Sequence, residues 1–323
     1  MSAEPSQADV AAYLTEHRNW GRWGDDDQRG TINLITPEKR LAALRTVRSG
    51  NALSLSRPLS TATGPANAHP ASHYMKRRAI GHHGSTVPRP DDTSGFAADY
   101  YGMYYHGTAT THIDALSHVW DDAGLYNGRD PDEHITFDGA TWGGIEHWKD
   151  GIVTRCVLLD VPRHRGGRFV TAEEPVHGDE LEAILAERDV SLEPGDAVAV
   201  YSGREAWQRA NPSEPYGRVP FEACCGGIYE KPGLHASCLK FLRDHDVSVL
   251  VWDMLDHTPF GYDVSWTVHG AIHAFGLALV DNALLEPLSD ACAEHGQDDF
   301  ALFIAPLYVN GGTGSPVNPI ALL

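Results

Sequence analysis

The sequence is poor in basic residues, poor in cysteine, and without any long apolar segment. Its 323 residues include 25 Lys and Arg against 44 Asp and Glu, which gives a formal net charge of −19 at pH 7. A nucleic-acid binder needs a basic face that releases counterions from phosphates, and anionic membranes also attract basic surfaces. One short basic cluster occurs, at Lys76, Arg77 and Arg78. We therefore expect no nucleic-acid partner and no membrane partner.

Membrane spans and disulfides are also not expected. No apolar stretch approaches the roughly 18 residues that suggest a transmembrane helix, and the polar segment 1–19 lacks the apolar core of a signal peptide. The five cysteines are odd in number and contain no C-x-x-C pair, which favours reduced thiols. The adjacent pair Cys224 and Cys225 is predicted to be small and buried rather than nucleophilic. These features indicate a cytoplasmic protein.

The hydrophobic pattern predicts one α/β domain over residues 1–323. Strand-like apolar runs lie at 156–161, 197–201, 247–252 and 277–280, with a last run at 301–309. Helical periodicity occurs at 178–189, 234–246 and 266–275. This alternation is typical of a mixed or barrel-like sheet flanked by helices, and it leaves the strand order open.

Two segments outside this alternation are also distinctive. Residues 1–50 are predicted to form a helical or extended N-terminal segment. Residues 60–98 are rich in loop signals such as Gly64-Pro65 and His69-Pro70. A loop of this length in a compact domain is typically a lid over a site or a disordered segment, and both interpretations stay open.

Histidine is abundant, with 18 residues, and the densest cluster lies at 105–118. On an extended strand the side chains of His112 and Asp114 project from the same face, because the side-chain period is two. An imidazole and a carboxylate presented together suit a divalent ion such as Zn²⁺ or Mn²⁺. His118 could reach the same pocket as a general base or acid. The alternative is a structural hydrogen bond between His112 and Asp114.

A second histidine cluster follows later in the chain. His269 and His273 lie one helical turn apart, a spacing that metal-binding helices use. Asp281 follows the apolar run 277–280, where an α/β sheet usually presents site residues. A surface or helix-capping histidine is the alternative interpretation of this pair.

Together these segments resemble the metal-dependent cyclase family, which includes bacterial kynurenine formamidase and isatin hydrolase. The family signature H-x-G-T-H-x-D-x-P-x-H aligns without a gap on residues 108–118, TATTHIDALSH. A later family pattern places a carboxylate and Asn twelve residues after a His, and His269 with Asp281-Asn282 keeps that spacing. Further similar segments are 20–24, 30–34, 126–128, 157–160, 194–196 and 232–234. The resemblance is to the longer bacterial members.

The resemblance implies a role for each matching residue. It implies that His112 and Asp114 bind metal, that His118 transfers protons, and that His269 and Asp281 are further ligands. The chain departs from the family pattern at Thr108, Thr110, Leu116 and Asp281, which replace His, Gly, Pro and Glu. Because a threonine hydroxyl is a poor zinc ligand, His106, two positions earlier on the same strand face, is an alternative ligand in place of Thr108.

The resulting hypothesis is a metal-dependent hydrolase that cleaves an amide, formamide or lactone bond in a small aromatic or cyclic substrate. The substrate-binding candidates are Trp23, His82, His83 and Tyr105. Two alternatives stay open: a cyclase or dehydratase acting on a biosynthetic intermediate, and a metal-poor scaffold that has lost the chemistry. The resemblance also implies a homodimer or homotetramer.

Overall fold

A nine-stranded mixed sheet organises the chain in the computed structural model, which describes residues 4–77, 97–217 and 230–323. The strands in these ranges are β1 (Ala52–Ser54), β2 (Ser72–Arg77), β3 (Ala98–Gly102), β4 (His112–Asp114), β5 (Ile135–Thr136), β6 (Gly139–Ala140), β7 (Ile152–Asp160), β8 (Ala197–Tyr201), β9 (Val249–Trp252), β10 (Ala278–Asp281), β11 (Asp299–Ile304), β12 (Gly314–Pro316) and β13 (Ile320–Leu322). The sheet order is β1-β13-β11-β7-β8-β9-β10-β4-β12. The four strands β7 to β10 run parallel, and every other pairing in this sheet is antiparallel.

Helices surround this sheet. Those in the described ranges are α1 (Gln7–Thr15), α2 (Pro37–Leu44), α3 (Pro131–His134), α4 (Val161–His164), α5 (Gly178–Arg188), α6 (Arg204–Ala210), α7 (Cys238–Asp244), α8 (Ala271–Phe275) and α9 (Glu286–His295). Short 3₁₀ helices lie at Gly30–Leu34, Tyr126–Gly128, Ile145–Trp148 and Val268–Gly270. The predicted single α/β domain with a mixed sheet and flanking helices is confirmed.

Local sequence explains where several of these helices begin. At α1 the Ser6 hydroxyl accepts from the backbone N–H of Asp9, and the Asp9 carboxylate accepts from that of Ser6, a reciprocal capping box. At α2 the Thr36 side chain accepts from the N–H of Lys39, and Pro37 occupies the first helical position. Neither helix exceeds nine residues, so packing against the sheet stabilises them more than propensity does.

The core lies on both faces of the parallel strands. All five residues of β8 and all four of β9 are buried, as expected where helices cover both faces of a parallel sheet. Helix α5 buries Leu181, Ile184 and Leu185, and it packs against α7. The described cysteines, Cys156, Cys238 and Cys292, are buried free thiols. Among the helices in the described ranges, none is both long and apolar enough to cross a membrane.

The expected loop at 60–98 contains strand β2, and β3 begins at its last residue. Strands β2 and β3 form an antiparallel pair separate from the large sheet. Glycine and proline on either side of the run SHYMKR obscured this strand in the sequence. Residues 78–96, which include the substrate-binding candidates His82 and His83, lie outside the described ranges. The pair Cys224 and Cys225 is also outside them.

The short strand β4 positions the candidate site. It lies between β10 and β12 and is antiparallel to both. In this register His112 is opposite Asp281, and Asp114 is opposite Gly314. Opposed residues in an antiparallel pair project from the same face, so the two halves of the chain that carry the histidine clusters meet here.

Candidate metal centre

Three buried side chains form the base of the site. On β4, His112 Nε2 lies 3.3 Å from Asp114 Oδ1, which shows the shared face expected from the two-residue spacing. Across the ladder, His112 Nε2 lies 3.9 Å from Asp281 Oδ2. The three side chains are almost completely shielded from solvent.

His269 closes the other side. It belongs to the 3₁₀ helix Val268–Gly270, which leads directly into α8. Its Nε2 lies 3.3 Å from Asp281 Oδ2 and 3.9 Å from Asp114 Oδ2. His273 lies elsewhere, with its Nδ1 3.8 Å from Asp121 Oδ2. Of the helical histidine pair, the structure therefore brings His269 alone into the cluster.

His106, rather than Thr108, joins the cluster. His106 Nδ1 lies 3.0 Å from Asp114 Oδ1, and its Nε2 is 3.1 Å from the Thr313 hydroxyl. The Thr108 side chain lies against Gly217, where a Cβ would overlap it. Of the two positions that the sequence left open, the structure therefore brings His106 beside Asp114.

Asp114 is shared by two groups of potential ligand atoms. One group is His106, His112 and Asp114, and the other is Asp114, His269 and Asp281; within each group the ligand atoms lie within 4.8 Å of one another. Both oxygens of Asp114 are buried, and neither accepts a hydrogen bond of acceptable geometry from the described residues, although His106 Nδ1 lies only 3.0 Å from Oδ1. Buried carboxylate oxygens are ordinarily paired or bound to a cation.

His118 lies at the mouth of the cluster. Its ring stacks on that of His106, with centroids 3.9 Å apart and planes 4° from parallel. Its Nε2 lies 3.8 Å from Asp114 Oδ2, and its side chain is 25% exposed against 1% for His112. His118 therefore contacts the cluster and also reaches the solvent side.

Burial and charge act in opposite directions on these groups. Burial lowers the pKa of His118 to about 4, despite the nearby Asp114 carboxylate. Burial also acts to lower the pKa of His112, but the charge and hydrogen bond of Asp114, together with the charge of Asp281 and the Thr110 carbonyl, outweigh it and raise that pKa to about 9. For Asp114 itself, the adjacent histidines overcome the effect of burial and hold its pKa well below the usual range. The carboxylate is thus ionised, as a metal ligand must be.

Behind the candidate ligands, a second set of groups fixes their orientation. His112 Nδ1 lies 2.8 Å from the Thr110 carbonyl, to which it can donate, and His269 Nδ1 donates to Asp256. Trp252 Nε1 donates to Asp281 Oδ1 at 2.6 Å. These bonds leave both Nε2 atoms facing the cluster, the arrangement typical of metal-binding histidines. Carboxylates and imidazoles around an unpaired buried carboxylate fit a divalent cation.

Sequence reasoning did not identify Asp256 or Trp252. Asp256 follows the buried strand β9, and a carboxylate just beyond the carboxyl end of a strand is a signal that could have found it. Trp252 carries no such signal, because its indole reaches Asp281 only through the parallel pairing of β9 with β10.

The two substrate-binding candidates within the described ranges, Tyr105 and Trp23, lie in different parts of the structure. Tyr105 lies beside the cluster, with its ring centroid 4.6 Å from that of His106 and its hydroxyl donating to the Gly314 carbonyl. Trp23 instead stacks with Arg22, which pairs with Asp246 before the start of β9. The cluster uses the opposite, carboxyl end of β9, so the structure does not bring Trp23 to it.

A cavity of about 350 Å³ opens beside the cluster. Aromatic and histidine side chains contribute to its wall, among them His69, Tyr104, Tyr105 and His106. A larger cavity of about 1100 Å³ lies between α1 and α5 and contains no residue of the cluster. The smaller cavity is therefore the candidate substrate pocket, and it is large enough for a single aromatic ring system.

Comparisons with known proteins find similarity to cyclases and to isatin hydrolases. The model of the family described as putative cyclase matches residues 53–257. A protein whose structure is described as that of a novel cyclase shares 31% sequence identity with this chain. The two structures superpose with a TM-score of 0.79 over 95% of this chain and 99% of the other. Isatin hydrolase A from Labrenzia aggregata is 16% identical, with a TM-score of 0.58 over 88% and 98% of the two chains. Isatin hydrolase A from Ralstonia solanacearum is 17% identical, with a TM-score of 0.54 over 88% and 97%. No curated protein matches the sequence significantly.

Proposed function

Because the chain belongs to the cyclase family, as its motifs predicted, we propose that it is a metal-dependent hydrolase of a small amide, formamide or lactone. The observation that carries this proposal is the pair of ligand groups that share the fully buried carboxylate of Asp114. The fold shared with isatin hydrolases is consistent with it.

The residues that would hold the ion are His106, His112, Asp114, His269 and Asp281. Zn²⁺ and Mn²⁺ both accept imidazole and carboxylate ligands and are the candidates. When bound, such an ion supplies polarisation of the substrate carbonyl and a lowered pKa of water. Asp256, Thr110 and Trp252 would keep three of these ligands in their binding orientation.

His118 is the proposed proton-transfer residue, because it is the partly exposed imidazole at the mouth of the cluster. It would accept a proton from water as the water oxygen bonds to the carbonyl carbon. It would then donate that proton to the leaving nitrogen or oxygen as the C–N or C–O bond breaks. No covalent enzyme nucleophile is needed for this sequence of steps.

The pocket favours a small aromatic or cyclic substrate. Tyr105 and His106 line the 350 Å³ cavity, so a substrate ring seated there would lie beside His106, which contacts Asp114 and stacks on His118. The fold relative from Labrenzia aggregata was solved with benzyl benzoate, an aromatic ester.

Metal content and product mass test the proposal. Protein purified without chelator should contain Zn or Mn, and it should hydrolyse members of a panel of aryl formamides, cyclic imides and lactones. In ¹⁸O-labelled water the product should gain one labelled oxygen. Product without mass gain would indicate a cyclase or dehydratase instead. Metal below about a tenth of an equivalent, with no activity on addition, would indicate a scaffold.

The variant His118→Ala separates proton transfer from metal binding. It should retain the ion and lose roughly 10²–10⁴-fold in kcat, because it removes only the proton carrier. The matched control is His164→Ala, which removes a surface histidine paired with Glu187. If His118→Ala loses the ion instead, His118 is a ligand and the proposed role is wrong.

We propose a homodimer or homotetramer as the assembly, on the family resemblance alone. Sedimentation velocity at micromolar concentration tests it, and a monomer across the accessible concentration range would contradict it.

A further inference from the structure

The turn that joins His106 to His112 is held at its backbone carbonyls. Asn282 Nδ2 donates to the Gly107 carbonyl at 2.7 Å and to the Thr110 carbonyl at 3.0 Å. Arg204 Nη2 donates to the Thr108 carbonyl at 2.5 Å. The two side chains therefore donate hydrogen bonds to the carbonyls of three of the four residues in turn 107–110.

Arg204 and Asn282 are also hydrogen-bonded to each other. Arg204 Nη1 donates to Asn282 Oδ1 at 2.7 Å and to the Asp253 carbonyl at 3.1 Å. Asn282 directly follows Asp281 in sequence and adopts a left-handed backbone conformation, with φ of 57°. The turn is thus fixed to the end of β10, the strand that supplies Asp281 to the opposite ligand group.

Arg204 is an unusual residue for the interior. It is buried, and its side-chain hydrogen bonds in the described ranges go to uncharged oxygens. Its guanidinium lies 4.4 Å over the ring of Tyr216. Burying a cation is costly even with good hydrogen bonds, and an apolar side chain of the same size would often stabilise the fold as well. This cost points to a role beyond packing.

Arg57 next to it provides a contrast. It forms an ion pair with Glu205 at 2.6 Å, and its guanidinium also donates to the carbonyls of Asn282 and Ala283. Those contacts support the chain after β10, whereas Arg204 reaches across to Thr108. Arg204 and Asn282 are therefore the side chains that hold the carbonyls of turn 107–110 at the end of β10.

We propose that Arg204, together with Asn282, is a positioning residue that fixes turn 107–110 so that His106, and not Thr108, completes the ligand group around Asp114. Arg204 holds the Thr108 carbonyl, and the side chain of Thr108 lies against Gly217. The imidazole of His106 then reaches Asp114 Oδ1 at 3.0 Å. This inference rests on the proposed function, because it assumes that the group binds a metal ion.

Metal affinity, measured apart from stability, tests the inference. We would titrate apo protein with Zn²⁺ and Mn²⁺ against a competing chelator and record thermal unfolding of the same metal-free samples. Arg204→Met should weaken binding roughly 10–100-fold, the usual effect of losing a residue that orients a ligand. Arg204→Lys, which keeps the charge but lacks the planar fork whose two nitrogens reach Asn282 and Thr108, should give an intermediate loss. The matched control Arg163→Met removes an arginine bound to Asp160 and Asp298, away from the cluster, and should keep wild-type affinity.

A double-mutant cycle makes the test specific to His106. His106→Ala should weaken binding, and adding Arg204→Met should weaken it little further, because both changes remove the same ligand. Thr108→Ala should bind metal as the wild type does. If Arg204→Met does not fold, Arg204→Lys and the comparison of His106→Ala with Thr108→Ala still decide the matter.

The possible failures are distinguishable. If wild-type protein binds neither ion, the proposed function fails and this inference fails with it. If the wild type binds but Arg204→Met and Arg204→Lys keep its affinity while unfolding at lower temperature, Arg204 is merely structural and the inference alone is overturned. Fully additive losses in the double mutant, or a loss in Thr108→Ala equal to that in His106→Ala, would overturn it as well.

Discussion

Two of the proposed histidine ligands, His112 and His269, are each oriented by an oxygen atom that accepts a hydrogen bond from Nδ1. For His269 that oxygen belongs to Asp256, which also accepts from the Thr267 hydroxyl and from the backbone N–H of His269. A carboxylate in this position fixes the tautomer and increases the basicity of the nitrogen that faces the ion. The strength of the site thus depends on residues that never touch the ion.

Replacing Asp256 with Asn should therefore weaken metal binding. The amide oxygen can still accept from His269 Nδ1 but carries no charge, so we expect roughly a 10–100-fold loss of affinity with the fold intact. Chelator competition measures the loss, and circular dichroism checks the fold. Asp298→Asn is the matched control, since it removes a buried carboxylate paired with Arg163 and Arg188. Equal affinities in wild type and Asp256→Asn would contradict the prediction.

Local spacing predicted part of this arrangement and could not predict the rest. The strand period places His112 beside Asp114, and family spacing connects His269 with Asp281. By contrast, Trp252 reaches Asp281 only through the pairing of β9 with β10, and the position of Asp256 after β9 does not by itself reveal that it contacts His269. The position of Trp23 away from the cluster could not be predicted either, because it follows from the long-range Arg22–Asp246 pair.

At the scale of elements, the site depends on how closely β12 approaches β4. Gly314 is opposite Asp114, and a Cβ at position 314 would lie 2.5 Å from the Ile113 carbonyl oxygen and 3.2 Å from ring atoms of His106 and Tyr105. Real Cβ atoms do not approach a carbonyl oxygen so closely. Glycine at this position thus allows the strand and the aromatic side chains to pack together.

Gly314→Ala should move β12 away from β4 and disturb His106. Overpacking of this kind costs about 1–3 kcal/mol of unfolding free energy, measurable by urea denaturation in the presence of a chelator. Metal affinity should fall in the same variant, because His106 is displaced. Gly64→Ala is the matched control, since a Cβ there meets nothing within 4 Å. A Gly314→Ala protein as stable as Gly64→Ala would show that β12 yields without strain.

Element boundaries show where periodicity succeeds and fails. The run 197–201 corresponds to β8 residue for residue, because a strand buried on both faces is a continuous apolar run. The helix expected at 234–246 is observed only at Cys238–Asp244. Leu234 instead forms parallel bridges with Val176 and Asp256, so its burial reflects bridging rather than a helical face. Strand order depended on such long-range pairings and could not be predicted.

For the whole molecule, the excess of acidic residues continues into the interior. Asp114, Asp256 and Asp281 are all buried around the cluster in a chain whose net charge is −19. Histidine charges compensate them only in part, since burial favours the neutral form of His118. A bound divalent cation would neutralise this concentration of negative charge, so the folded state should be the state that the ion stabilises.

Removing the ion should consequently lower the melting temperature. A ligand that binds only the folded state at a hundred times its Kd adds about 2.7 kcal/mol of stability, which for a domain of 323 residues corresponds to about 4 °C. Calorimetry of dialysed protein with and without added Zn²⁺ or Mn²⁺ measures the shift. Asp114→Asn serves as the control, because it disrupts both ligand groups and should show no response to either ion. An identical melting temperature for wild-type protein with and without metal would mean that the buried carboxylates are already balanced by the chain's own histidines.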